Sequence, residues 1–137
     1  MTREDDLLSL QYCERIARRF YWLLDRHEAD QILSMVEDDC QWVRAGKPHV
    51  GPEAMRAIML ARPRDVVSRH LVCNEVGRIA GENEIEVQFD LLYLAAPQPD
   101  VAEEKRSISP KVLSGVDRYR RKAGDWRLVF KEVLPVF

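Results

Sequence analysis

The sequence predicts an α+β fold in which N-terminal helices pack on one face of a curved antiparallel sheet. Helical periodicity is confined to the first 62 residues, and long extended runs joined by tight turns follow. Strands and helices do not alternate, which argues against a parallel sheet. Because no linker or internal repeat divides the 137 residues, we expect a single domain spanning residues 1–137.

The first predicted element is an amphipathic helix from Asp5 to about Arg26. Apolar residues recur along it at spacings of three and four: Leu10, Cys13, Ile16, Ala17, Phe20, Tyr21 and Leu24. A turn around His27 leads into a short second helix, which should end near Glu37–Asp39.

A short strand and a third helix come next. The strand covers Cys40 to Val43 and is broken by Gly46-Lys47-Pro48. Gly51-Pro52-Glu53 is typical of a helix start, with proline at the first helical position. The helix should bury Met55, Ile58 and Met59 and stop at Arg62-Pro63, because the residue before proline favours extended backbone.

The remaining segments are predicted strands: Val66 to Ile79, Glu84 to Tyr93, Lys111 to Arg121 and Trp126 to Leu134. A polar loop from Pro97 to Pro110 separates the second of them from the third. Strict alternation in the second strand places one apolar set on a common face: Ile85, Val87, Phe89, Leu91 and Tyr93.

Composition excludes several classes of protein. A hydrophobic fraction of 46% is typical of globular proteins, and a net charge of −2 argues against a nucleic-acid partner. No apolar run approaches the roughly 20 residues that span a bilayer. The N-terminus is acidic and unlike a signal peptide, so we expect a cytoplasmic protein with no membrane partner.

Neither a metal nor a cofactor is predicted. Cys13, Cys40 and Cys73 are odd in number and widely spaced, which is unlike a disulfide framework or a zinc site. We interpret all three as small core residues. No dinucleotide, P-loop, serine-hydrolase or zinc-protease motif occurs.

Two titratable residues stand out by position. His70 shares one face of an extended run with Val72, Asn74 and Val76, a pattern that fits either a cavity lining or an edge strand facing water. Asp25 closes the first helix directly after an apolar stretch. It is either a solvated carboxylate or one that points into a pocket.

A series of short motifs also occurs in a characteristic order. In sequence they are Tyr21-Trp22-Leu23-Leu24-Asp25, Trp42-Val43-Arg44-Ala45-Gly46, Gly51-Pro52-Glu53-Ala54-Met55, Arg62-Pro63, Arg69-His70 with Asn74, and finally Gly115, Tyr119 and Gly124-Asp125-Trp126-Arg127. Their order and spacing resemble the SnoaL-like branch of the nuclear transport factor 2-like superfamily. The resemblance implies a cone, in which a strongly bent sheet wraps helices and leaves a deep, mostly apolar pocket.

The resemblance also implies a chemistry. Enzymes of this superfamily, among them scytalone dehydratase and hexachlorocyclohexane dehydrochlorinase, use an Asp–His pair, and Asp25 and His70 fall at the matching places. His70 would be the base and Asp25 would orient it. The dehydrochlorinase also uses an arginine on its last strand, where this chain offers Arg127 and Lys131.

The predicted function is therefore a cofactor-free lyase or isomerase acting on a small hydrophobic substrate, cyclic compounds included. Elimination, dehydration and isomerisation all need proton abstraction, and none requires a metal or redox cofactor. The predicted substrate contacts are wall residues and two polar residues: Tyr21, Trp42, Met59 and Phe89, with Arg44 or Asn74.

The alternative is a non-catalytic module that binds a small molecule or assembles an oligomer, similar to a ring-hydroxylating dioxygenase β subunit. A buried charge pair favours the enzyme, because a structural cone gains nothing from the desolvation cost. In either case the outer sheet face predicts a homo-oligomer, most simply a dimer. Its candidate apolar residues are Val112, Val116, Val129 and Val133.

Overall fold

A computed structural model describes residues 2–98 and 108–137. The elements in chain order are α1 (Arg3–Asp25), α2 (Ala29–Leu33), β1 (Val36–Arg44), β2 (Lys47–Val50), α3 (Pro52–Leu60), β3 (Val66–Gly81), β4 (Glu84–Pro97), β5 (Lys111–Lys122) and β6 (Asp125–Pro135). Most of the polar loop predicted after Pro97 lies outside the described residues.

The described strands form one six-stranded sheet in the order β2-β1-β6-β5-β4-β3. Four of the pairings are antiparallel, whereas β1 and β6 run parallel. The predicted α+β class, with N-terminal helices on a curved sheet, is confirmed. The parallel pair departs from the expected all-antiparallel pattern, because the last strand returns to lie beside the first.

Helix α1 carries the carboxylate of Asp25 to the sheet. Thr2 caps its N-terminus in a reciprocal arrangement with Asp5, which satisfies backbone donors that have no partner within the helix. Its apolar face packs on β3, and the helix ends at Asp25. His27 then adopts a left-handed conformation with φ 58°, which turns the chain away. None of the described helices is both long enough and apolar enough to cross a membrane.

The first strand begins earlier than predicted. The second helix does not extend to Glu37–Asp39 but ends at Leu33, and β1 starts at Val36. The backbone N–H of Leu128 donates to the carbonyl of Met35, so pairing with β6 draws this segment into the sheet. Local periodicity could not show this, because the partner strand lies about 90 residues away.

A bulge in β3 overturns the predicted face of Asn74. The pairing with β4 shifts between Cys73 and Val76, and Asn74 takes a left-handed φ of 55°. The inward alternation of His70 and Val72 is therefore broken, and both Asn74 and Val76 are exposed. Cys73, predicted to be a core residue, is exposed as well, whereas Cys13 and Cys40 are buried.

Candidate active site

Asp25 and His70 are in direct contact where the end of α1 meets β3. The carboxylate Oδ1 lies 2.6 Å from His70 Nδ1, and the backbone N–H of His70 donates to Oδ2 at 2.8 Å. The two side chains are 2% and 11% exposed, respectively, so water does not compete strongly for this contact. Asp25 therefore fixes both the ring and the backbone of the same histidine.

A serine and an arginine extend this network from the same carboxylate oxygen that contacts the His70 ring. The hydroxyl of Ser68 donates to Asp25 Oδ1 at 2.8 Å. Because that hydroxyl has one hydrogen, it can only accept from Arg62 Nη2, which lies 2.9 Å away. Arg62 Nη1 also donates to the carbonyl of Leu24 at 2.6 Å. The network thus runs in one direction, from guanidinium to hydroxyl to carboxylate.

The charge state of Asp25 decides the tautomer of His70. Burial raises the pKa of Asp25, but the hydrogen bonds and charge of His70, together with the Ser68 hydroxyl, outweigh it, so the pKa lies below the ordinary value of 3.8. An ionised carboxylate only accepts hydrogen bonds. Nδ1 must therefore carry a hydrogen, and in a neutral ring Nε2 keeps its lone pair and can accept a proton.

Two tyrosine rings lie against the imidazole. The ring centroid of Tyr21 is 4.9 Å from that of His70, and the two planes are inclined by 30°. Tyr93 approaches at 4.7 Å with an inclination of 43°. These contacts limit ring rotation, and aromatic faces attract the positive charge that forms when the imidazole gains a proton.

Behind Tyr21 lies a buried ion pair. Lys131 Nζ is 2.8 Å from Asp117 Oδ1 and 3.5 Å from the hydroxyl of Tyr21, and both charged side chains are fully buried. The hydroxyl of Tyr119 donates to the other oxygen of Asp117 at 2.7 Å. Burial lowers the pKa of Lys131, and Asp117 opposes this in part. Of the two basic residues considered on the last strand, Lys131 points inward, whereas Arg127 donates to the carbonyl of Val36.

A cavity of about 620 Å³ opens beside His70. Its described lining is aromatic, aliphatic and cationic: Tyr21, Trp42 and Tyr93; Leu24, Val43, Ala45, Ile58, Leu91, Leu113, Val133 and Pro135; and Arg44, Arg62 and Lys111. Three of the predicted substrate contacts, Tyr21, Trp42 and Arg44, thus share a cavity with His70.

The other predicted contacts lie elsewhere. Met59 is buried in the core beside α2, and its neighbour Ile58 lines the cavity instead. Phe89 packs edge-on against Tyr21, with ring centroids 6.1 Å apart, and a Cβ added at Gly115 would lie only 2.3 Å from the Phe89 ring. Asn74 donates to Asp90 at 2.8 Å on the exposed bulge. Met59 and Phe89 therefore support the site from the core, whereas Asn74 does not reach it.

Sequence reasoning did not identify Ser68 or Arg62 as part of the site. Ser68 had a usable signal, since it lies two residues before His70 and therefore on the same face of the strand. Arg62 occurred only within the motif Arg62-Pro63, which did not indicate a role in the site, because its contacts with Leu24 and Ser68 depend on how α3 packs. Within the described residues, no group of three or more His, Cys, Asp and Glu side chains is placed to hold a metal ion.

Comparison with protein families gives one clear result. The model of the SnoaL-like domain family matches residues 17–129, which is most of the chain. No curated protein matches the sequence significantly.

Solved structures with the same fold are numerous and distant in sequence. The hexachlorocyclohexane dehydrochlorinase LinA-type3 from Novosphingobium barchaimii superposes with a TM-score of 0.85 at 17% identity, over 99% of this chain and 92% of that one. A candidate scytalone dehydratase from Novosphingobium aromaticivorans gives 0.82 at 15% identity, over 99% and 89%. An NTF2-like protein with a cystatin-like fold from the same organism gives 0.78 at 14% identity, over 97% and 86%. At these identities the likeness establishes the fold.

Proposed function

The chain belongs to the SnoaL-like domain family, and we propose that it is a cofactor-free lyase or isomerase that removes a proton from a small hydrophobic substrate, cyclic compounds included. The observation that carries the proposal is the contact of Asp25 with His70, which itself lines an aromatic cavity. Structural neighbours named as a dehydrochlorinase and a candidate dehydratase support an elimination.

In the proposed reaction, His70 Nε2 takes a proton from a substrate carbon. The electron pair of the broken C–H bond forms a carbon–carbon double bond, and the leaving group departs with its bonding electrons. In an isomerisation the imidazolium instead returns the proton to a different carbon. Asp25 stabilises the imidazolium in both cases and retains its own negative charge.

The lining residues favour proton transfer over covalent catalysis. In the described part of the chain, the cavity wall contains no serine, threonine or cysteine that His70 could activate as a nucleophile. Apolar walls exclude water and strengthen the attraction between the imidazolium and the carboxylate. A general base in this position contributes about 10²- to 10⁴-fold to a rate.

A screen in deuterated water tests the proposal. The purified protein is incubated with small hydroxylated, halogenated and carbonyl compounds, and mass spectrometry records deuterium incorporation or loss of water or hydrogen halide. We expect turnover by the wild type and by the matched control His49→Ala, whose histidine does not line the cavity, and none by His70→Ala. Equal turnover by His70→Ala would contradict the proposal, and compounds that bind without any turnover would favour the binding-module alternative.

A further inference from the structure

We propose that the ligand of the cavity is a small apolar acid, whose negatively charged group, most simply a carboxylate, lies at the cavity mouth. The inference names a substrate class for the site and rests on the proposed function only for what happens to that substrate. It starts from the charges that line the cavity, which the Asp25–His70 contact does not explain.

Three of the lining residues are cationic: Arg44, Arg62 and Lys111. Arg44 and Lys111 are exposed, so they mark the solvent side of the cavity, whereas Tyr21 and Trp42 are buried at its inner side. Among the lining residues that the structure describes, none is acidic. The wall is therefore positive at its mouth and apolar inside.

The two arginines border a shared space. Arg44 and Arg62 line the main cavity and also an adjoining recess of about 280 Å³. Arg62 is held in place by its bonds to Leu24 and Ser68, each of which uses one terminal nitrogen. Neither Arg44 nor Lys111 makes a salt bridge within residues 2–98 and 108–137. Arg44 lies over the Trp42 ring, with Cζ 5.3 Å from the ring centroid, but this contact is not a hydrogen bond, so the N–H donors of Arg44 and Lys111 are open to a ligand.

A carboxylate matches this arrangement in charge and geometry. The planar guanidinium group binds carboxylates through parallel hydrogen bonds, and charge-assisted bonds are about twice as strong as neutral ones. The apolar remainder of such a ligand would lie against Tyr21 and Trp42 beside His70. Asp25 would not repel the anion strongly, because it does not line the cavity and its carboxylate is already hydrogen-bonded to Ser68 and His70.

Matched carboxylate and carboxamide probes test the inference. Isothermal titration at low salt compares benzoate with benzamide, cyclohexanecarboxylate with its amide, and 2-naphthoate with 2-naphthamide. We expect the wild type to bind at least one carboxylate about tenfold more tightly than its amide, which corresponds to about 1.4 kcal/mol. Arg44→Gln and Lys111→Gln should lose most of that preference. The matched controls Arg3→Gln and Lys122→Gln, distant exposed charges, should retain it.

Three results would overturn the inference. They are equal affinity for the carboxylate and amide of each pair, no binding of any probe, and an unchanged carboxylate preference in both Arg44→Gln and Lys111→Gln. Its failure is distinguishable from failure of the proposed function, because the titration requires no turnover. The carboxylate preference could persist in His70→Ala while the wild type turns over no compound. That result would support the acid-binding site and exclude the lyase activity.

Discussion

Asp25 holds His70 through two of the histidine's atoms at once: Oδ1 contacts ring Nδ1 at 2.6 Å, and Oδ2 accepts the backbone N–H at 2.8 Å. The strand and the imidazole are thus positioned by the same carboxylate. Because that carboxylate is ionised, it also determines which ring nitrogen carries hydrogen. The proposed function of the site depends on this one contact.

Replacing Asp25 by asparagine should retain the fold and remove most of the activity. The amide is similar in size but neutral, so it neither stabilises the imidazolium nor fixes the tautomer. We expect kcat/KM to fall by about 10²- to 10⁴-fold on any substrate that the deuterium screen identifies. Asp38→Asn, an exposed carboxylate, is the matched control and should keep wild-type kinetics. Turnover by Asp25→Asn comparable to that of the wild type would show that the Asp25–His70 pair is not needed for catalysis.

The lowered pKa of Asp25 predicts a loss of stability in acid. The unfolded chain takes up this proton near the ordinary pKa of 3.8, whereas in the folded chain the carboxylate stays ionised to lower pH. The stabilisation is therefore complete above the unfolded pKa and is lost as the pH falls through the folded pKa. Urea unfolding should give a larger free energy of unfolding for the wild type than for Asp25→Asn at pH 7. The difference should shrink as the pH falls toward 3. A difference in unfolding free energy that stays constant from pH 7 to pH 3 would contradict the lowered pKa of Asp25.

The buried pair of Lys131 and Asp117 predicts non-additive stability changes. Lys131→Met leaves Asp117 charged and without its ammonium partner, which should cost about 3–5 kcal/mol of unfolding free energy. Adding Asp117→Asn removes that charge, and the amide oxygen can still accept from Tyr119. The double variant should therefore be more stable than Lys131→Met alone, as denaturant unfolding measures. The exposed control Lys122→Met should change stability by less than about 0.5 kcal/mol.

The outer face of the sheet, where Val112 and Val116 lie, predicts a homodimer. Val112 and Val116 alternate with inward residues of β5 and lie on that face, whereas Val133, first placed with them, lines the cavity. Sedimentation equilibrium at micromolar concentration should give a dimer of the 16.0 kDa chain. Val116→Glu should shift it to monomer, and Leu8→Glu, on the exposed start of α1, should not. A wild type that sediments only as a monomer would refute the interface.

Local sequence signals predicted those parts of the molecule that local interactions determine. The apolar periodicity of α1 and the alternation of β4 both matched the structure. The position of Asp25 at the end of α1 followed from that periodicity. Its contact with His70 did not, since 45 residues separate the two, and the expectation came from the family resemblance.

Features created by distant pairing and by bulges could not be predicted. The bulge at Asn74 reverses the alternation in β3, and nothing in the neighbouring residues indicates it. A second irregularity, opposite Arg118 and Tyr119 of β5, separates Leu128 from Lys131 on the inward side of β6. Lys131 is buried for that reason, although alternation from Leu128 would have pointed it outward.

The tautomer of His70 is the most direct test of its proposed role as a base. Long-range ¹H–¹⁵N correlation spectra of the labelled protein, recorded at a pH where the rings are neutral, report which nitrogen of each of the three histidines carries hydrogen. The spectrum of His70→Ala identifies the ring of interest. We predict hydrogen on Nδ1 and an unprotonated Nε2 in the wild type, and loss of that preference in Asp25→Asn. A wild-type His70 with its hydrogen on Nε2 would have no lone pair to offer the cavity and would contradict the proposed base.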